Sequence, residues 1–220
     1  MGSKERRDRA REDTRVRILD AARELFVERG VEATTMRAIA ERLEYTAPAI
    51  YHHFADKESL LRELVTQDMG ALGLAFQRLA EVPDPVERMV RLGMAYVRFG
   101  LEHPQHYRLL FMTPGTKKEL RGELHCELEK NPESDAYGLL HFTITEAVRG
   151  GRFREGYGDP DRVSQICWAA VHGLVSLHMV FAEDSWIEWR DVETSAQRML
   201  EAMVKGMTVN GEQRTANSER

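Results

Sequence analysis

Residues 35–57 read TMRAIAERLEYTAPAIYHHFADK, and the spacing of their apolar positions decides the fold. Met36, Ile39, Ala40 and Leu43 recur at helical intervals, and Ile50 and Phe54 do so after a break. Thr35, Thr46 and Asp56 each stand where a helix begins, and a side-chain oxygen there satisfies free backbone N–H groups of the first turn. Two short helices set at a steep angle, each with a narrow apolar seam, form a helix-turn-helix. Such a unit sets its second helix in the major groove of DNA.

Working outward, Ile18, Ala22, Leu25 and Phe26 make one stripe of an amphipathic helix over residues 14–29, ended by Gly30 as a left-handed cap. A fourth helix runs from Lys57 to about Leu79 with Leu60, Leu61, Leu64 and Val65 on one face. Pro83 and Pro85 close it, and Asp84 caps a fifth helix reaching Glu102. His103-Pro104 breaks that helix, and Pro104 opens a short one to about Met112. Asn131-Pro132 and Asp159-Pro160 repeat the cap-then-proline pattern and start helices over about 133–150 and 160–182; a last helix spans about Trp186 to Met207. No alternating apolar pattern of strand length occurs. The expected architecture is all-α, with about nine helices in two parts. These are a three-helix helix-turn-helix head over residues 14–58 and a larger helical body over 59–208. A flexible basic arm, 1–13, precedes them, and an unstructured tail, 209–220, follows.

The balance of 30% charged and 42% apolar residues is that of an ordinary globular chain, and 220 residues suffice for a sizeable core. No apolar run long enough to span a membrane and no signal peptide is read, so the expectation is a cytoplasmic protein without a membrane partner. Cys126 and Cys167 form no disulfide framework and no close-spaced metal pair. Net charge is −5 but unevenly spread: residues 1–57 carry 12 basic and 11 acidic side chains, and residues 4–17 alone carry seven and four. A near-neutral head with a basic arm, on an acidic body, can approach phosphate while the body stays away. No nucleophile motif, phosphate-binding glycine loop or spaced carboxylate set points to an enzyme, and no cofactor is expected.

A helix in a groove needs anchors to phosphate and a face toward base edges. Thr34, Thr35 and Arg37, at the start of the second helix, offer free N–H groups, hydroxyls and one guanidinium. Tyr51 and His52 lie beside the Ile50/Phe54 seam and so point outward, and Lys57 opens the fourth helix as a phosphate contact. Thr46, Ala47 and Ala49 begin the short helix, where side chains come nearest the bases; a threonine or alanine methyl can meet a thymine methyl.

These residues resemble the N-terminal domain of the TetR family of bacterial transcriptional repressors. The resemblance rests on Ala21, Ala22, Leu25, Phe26 and Gly30, then Thr35, Ile39, Ala40, Tyr51, Phe54, Lys57 and Leu61. The set Tyr51-x-x-Phe54-x-x-Lys57-x-x-x-Leu61 is far more specific than a generic helix-turn-helix. It implies that Thr35, Tyr51, His52 and Lys57 touch phosphates and that Thr46 and Ala47 face bases. Two departures stand out: Glu44 occupies the turn where the family has glycine, and Ala47-Pro48-Ala49 leaves the reading helix poor in long polar side chains. Base readout then rests on Thr46, apolar contacts, Arg37 and DNA shape.

The same resemblance implies a helical ligand-binding and dimerisation domain. The expected protein is a homodimeric repressor, joined through its last two helices, on a two-fold symmetric double-stranded operator; an unknown small-molecule effector releases it. Trp168-x-x-x-His172-Gly173, with His103-Pro104, Tyr107 and Phe111, is similar to the Trp-His-Gly subclass of C-terminal domains. Met94, Val97, Tyr107, Phe111, Phe142, Trp168 and His172 are the candidate pocket residues, being bulky and set on helices expected around the centre. The Met-rich body, with eight of ten methionines beyond residue 68, suits an adaptable apolar pocket. The alternative is a metal-responsive regulator using His103, His106, His125, Cys126 and His141.

Overall fold

The computed structural model describes residues 2–114 and 135–209. Nine α-helices and no strand are present among them. In chain order they are α1 (Ser3–Arg29), α2 (Met36–Arg42), α3 (Ala47–Tyr51), α4 (Lys57–Gln77), α5 (Pro85–Glu102), α6 (Pro104–Tyr107), α7 (Ala136–Arg149), α8 (Pro160–Phe181) and α9 (Val192–Met207). A wider π-helical turn, Arg108–Met112, continues α6. The expected cap at Asn131-Pro132 and the tail from residue 210 lie outside the described residues.

Backbone proximity divides the chain into two compact units. The first takes Met1–Gly70 and the described part of Gln105–Lys130; the second takes Ala71–Pro104 and the described part of the remainder. The first unit keeps most of α4 and recruits the segment after Pro104.

In the first unit Ile18, Ala22, Leu25 and Phe26 of α1 are fully buried with Ile39, Ile50, Leu60, Leu61 and Leu64. A five-residue helix cannot hold itself together in water. α3 persists because Ile50 and the adjacent Phe54 are sealed in this core, each contributing roughly 1.5–3 kcal/mol of burial. Thr35 caps α2 by accepting the Ala38 N–H at 3.1 Å, and Asp56 caps α4 by accepting the Ser59 N–H at 2.7 Å. Thr46 departs from expectation: its hydroxyl makes no cap bond. Pro48 has no N–H to satisfy, and the Ala49 N–H already donates to the Thr46 carbonyl at 3.0 Å.

Three further differences concern helix limits. α1 begins at Ser3, so the expected flexible arm is helical, with the Gly2 N–H donating to Glu5 at 2.9 Å. At the other end Gly30 has φ 82° and ψ 161°, a glycine-only conformation beyond the ordinary left-handed cap. The last helix starts at Val192 instead of Trp186, because Asp191 accepts the Thr194 N–H at 2.8 Å and fixes the first turn there. Trp186 is exposed, and the Trp189 indole N–H donates to the Phe181 carbonyl at the end of α8.

The turn between α2 and α3 keeps the left-handed residue: Glu44 has φ 57°, alone among described non-glycine residues in being positive. An L-residue there costs roughly 1–2 kcal/mol, while glycine loses about 0.5–1 kcal/mol of unfolded-chain entropy. Glu44→Gly is therefore expected to stabilise the head by about 0.5–1 kcal/mol. A urea melt followed by helical circular dichroism reads this directly; a lower midpoint would show that the Glu44 side chain contributes more than its backbone strain costs.

In the second unit α5 is central and packs on α7, α8 and α9. Leu92, Val97, Ile144, Val171, Val175 and Leu200 are buried there. Gly93 allows the closest approach, since a Cβ on it would stand 2.8 Å from Leu200 Cδ2. Asp84 and Asp159 cap α5 and α8 as read from the sequence. α8 also has the length and apolarity of a membrane span, with 22 residues and mean hydropathy 1.3 over its most apolar stretch, contrary to the expectation that no such run exists. Within the unit it is a packed helix with one buried face, formed by Val163, Cys167, Val171 and Val175.

Candidate nucleic-acid interface

The first unit exposes most of the expected contact residues on and beside α3. Tyr51 is 53% exposed although it neighbours Ile50, which is fully buried. His52, Thr35, Arg37 and Thr46 are exposed, and Ala47 and Ala49 are half-buried. With no cap bond to make, the Thr46 hydroxyl is available to a partner. Arg37 is held by Glu41 one turn on, at 2.8 Å, a surface pair weak enough to exchange for a phosphate.

Two expected residues stand differently. Thr34 is fully buried, its hydroxyl donating to the carbonyls of Gly30 (2.8 Å) and Leu25 (3.1 Å). It ties the end of α1 to the start of α2 and cannot reach a phosphate. Lys57 is half-buried, and its ammonium donates to the Val31 carbonyl at 2.8 Å, with Glu32 O at 3.5 Å. It therefore pins the α1–α2 loop, and only its remaining donor capacity can serve DNA.

Several groups that the sequence did not single out complete the surface. Arg15 stacks over Phe54, its guanidinium carbon 4.2 Å from the ring centroid; it pairs through both arms with Glu63 and donates to the His53 carbonyl at 2.8 Å. This basic residue is consumed by structure. Arg17 donates to the Tyr45 hydroxyl at 2.8 Å, which places Tyr45 of the turn beside α1. Burial, with the nearby charges of Arg11, Arg15 and His52, holds the His53 imidazole below its usual pKa just after α3. Arg42 pairs with Glu28 at 2.7 Å and Glu24 at 3.0 Å, which lowers the Glu28 pKa and raises that of Arg42. The sequence carries no period linking residues 15 and 63 or 17 and 45, so these pairs were not legible in it.

The expected effector residues are divided between the two units. Tyr107 and Phe111 belong to the first unit, where their rings stack at 5.0 Å. Met94, Val97, Phe142, Trp168 and His172 belong to the second. Phe142 is 60% exposed and Val97 fully buried, so neither lines an internal pocket. His172 meets the Tyr96 hydroxyl at 3.0 Å and stacks edge-on with Trp168, which in turn rests on Tyr137. An open groove of about 890 Å³ lies between the end of α4 and α5, with Arg78, Arg91 and Phe99 on its walls; of the seven candidates only Met94 reaches it.

Of the metal candidates, His106 faces Asp68 and His141 faces Asp161, while His125 and Cys126 lie outside the described residues. No group of three or more His, Cys, Asp or Glu side chains is placed to hold a metal ion among the described residues. Cys167 is buried, which pushes its thiol up to about 11.

Residues 18–64 match the profile of bacterial regulatory proteins of the tetR family, and residues 89–203 match the tetracyclin repressor-like C-terminal domain. The HTH-type transcriptional regulator UidR of Escherichia coli strain K12 is 29% identical over 199 residues, spanning 88% of this chain and 92% of its own. The HTH-type transcriptional repressor KstR2 of Mycobacterium tuberculosis is 39% identical over 82 residues, 36% of this chain and 40% of its own. The TetR family regulator PfmR of Thermus thermophilus superposes with a TM-score of 0.65 at 25% identity, covering 86% of this chain and 97% of its own. Since the C-terminal match alone covers half of the residues and the N-terminal match takes in the reading helix, the chain belongs to the TetR family of bacterial transcriptional regulators.

Proposed function

We propose that this regulator is a cytoplasmic homodimeric repressor that leaves a two-fold symmetric operator when a small molecule binds its C-terminal domain. In this reading residues 14–58 are the DNA-binding head and 59–208 carry the effector and dimer surfaces. The observation that supports it most directly is α3: Ile50 is sealed in the core while Tyr51 and His52 stand in solvent beside half-buried Ala47 and Ala49. Such a helix has only a groove-facing outer side to offer, and its small residues allow close approach to thymine methyls. Thr35, Arg37, Tyr51, His52 and Lys57 flank it as phosphate contacts. Residues 3–13 extend α1 as a rigid rod bearing Lys4, Arg6, Arg7, Arg9 and Arg11, and in this reading the rod serves phosphate in place of a flexible arm.

Dimerisation is assigned to α8 and α9. Ile166, Ala169, Gly173, Leu177 and Val180 recur at intervals of three and four along α8 and share its outer side, where all are exposed or half-exposed. A Cβ on Gly173 would meet nothing within 4 Å, so the stripe is flat at its middle. α9 adds half-buried Met203 and Val204. In the Trp-His-Gly subclass reading, Trp168 and His172 form the polar-aromatic wall of the effector site and Gly173 the contact between subunits. KstR2 is named a ketosteroid regulator and the Bacillus halodurans FadR a fatty acid degradation regulator. An effector with a large apolar body would suit the Met-rich second unit.

The test is selection of duplexes from a randomised pool, followed by affinity measured against salt. Lys57→Ala is expected to weaken the selected duplex about tenfold and reduce the salt slope by about 0.9. Tyr51→Phe should weaken binding several-fold with the slope kept, because a phenol releases no counterion. An unchanged slope for Lys57→Ala would remove that residue from the phosphate contacts.

A further inference from the structure

Asp68, on α4, is the sole buried carboxylate among the described residues, at 1% exposed. Three segments of the first unit converge on it. Arg23 of α1, itself 6% exposed, donates Nε–H to Oδ2 at 3.2 Å and Nη2–H to Oδ1 at 2.9 Å. Its third nitrogen, Nη1, donates to Asp20 at 2.8 Å. On the other side, His106 of α6 brings Nδ1 to 2.8 Å from Oδ1, an ion-pair distance. The π-helical turn that follows buries Leu109 and Leu110, and it packs against α1. Residues 105–112 are thus joined to the head both by apolar side chains and by the close polar contact of His106 with Asp68. The same residues continue directly from α5, through His103-Pro104.

A buried carboxylate is tolerated only while its counter-charges stay in place. Arg23 satisfies two of its acceptor positions and joins α1 to α4; His106 adds the tie to the 105–112 segment. Leu25 and Phe26 of α1 and Leu60 and Leu61 of α4 are buried in the same unit as Ile50 of α3, and α3 packs on α2, which packs on α1. Whatever fixes α1 against α4 therefore steadies the core on which α2 and α3 rest, and a preset surface binds more tightly because less ordering remains at the moment of contact. We propose that Arg23, Asp68 and His106 form a latch that seats residues 105–112 on the head in its DNA-competent arrangement. His106 is then a positioning residue for DNA binding without touching DNA. This rests on the repressor reading above.

The experiment compares His106→Leu, which keeps bulk but loses the polar ring nitrogen beside Asp68, with His106→Asn, whose amide can occupy the position of Nδ1. His106 is a third exposed, so both variants should fold, which circular dichroism checks. On the duplex selected by the unaltered chain, His106→Leu should bind about tenfold more weakly with an unchanged salt slope, and His106→Asn within about twofold. In an Asp68→Asn background, His106→Leu should cost nothing further, as expected for two members of one network. Amide hydrogen exchange in residues 105–112 should quicken in His106→Leu and not in His106→Asn. A lower melting temperature with unchanged affinity would overturn the latch, as would an altered salt slope or additive effects in the double variant. If the unaltered chain selects no duplex, the repressor reading fails; the exchange measurement still decides whether the latch exists.

Discussion

Replacing Ala47 with glutamate is expected to abolish duplex binding while leaving the fold intact. Ala47 is the first residue of α3 and half-buried beside exposed Thr46 and Pro48. A carboxylate in the first turn of a helix is favoured by the helix dipole, so the substitution should not unfold the head. On DNA it places a negative charge and a longer side chain where the helix comes nearest the bases. A lost methyl contact and the new repulsion together amount to roughly 3 kcal/mol or more, a hundredfold or greater loss of affinity. Fluorescence anisotropy with the duplex selected by the unaltered chain measures the effect, and a thermal melt confirms that the head still folds. Affinity equal to that of the unaltered chain, across about 50–200 mM salt, would mean that α3 is not the reading helix.

The second large effect is expected on α8. Leu177 and Val180 are 50% and 54% exposed, one turn apart on the outer stripe. Two glutamates there, as Leu177→Glu with Val180→Glu, add like charges that face each other across a two-fold axis, and burying unpaired charge costs several kcal/mol. Neither side chain supports the core of its own unit, so the monomer should remain helical. Sedimentation velocity should report a dimer for the unaltered chain and a monomer for the variant. Duplex affinity should fall by about a hundredfold or more, since linking two half-site contacts raises the effective concentration of the second to the millimolar range. A variant that sediments as a dimer would move the interface away from this stripe.

The reading head was legible because its signals are local. Thr35 and Asp56 cap the helices that follow them, and Ile50 with Phe54 marks the buried side of α3 within five residues. α5 and α8 begin where aspartate precedes proline, for the same reason. The extension of α1 to Ser3 was not legible. Residues 3–13 carry no apolar stripe, so the periodic pattern that marks residues 14–29 is silent there, although adding turns to an anchored helix is inexpensive. Thr34 misled because a threonine before a helix reads as an exposed cap, whereas the Leu25 carbonyl nine residues back takes its hydroxyl into the core. The directions of the candidate effector side chains were not legible, because bulk says nothing of direction: Phe142 stands in solvent and Val97 is sealed.

What the sequence by itself determined is the all-helical class, the positions of most helix starts and the exposed set around Tyr51. Each depends on a helical period or a cap that spans at most a few neighbouring residues. Tertiary structure alone decided that Lys57 grips the Val31 carbonyl, that Arg15 is spent on Glu63, and that Asp68 of α4 is met by side chains of α1 and α6. Those outcomes join residues 26 to 48 positions apart. At such separations the energy of a charge depends on which partners packing brings to it and on how much water packing removes, and no local pattern in the chain encodes either.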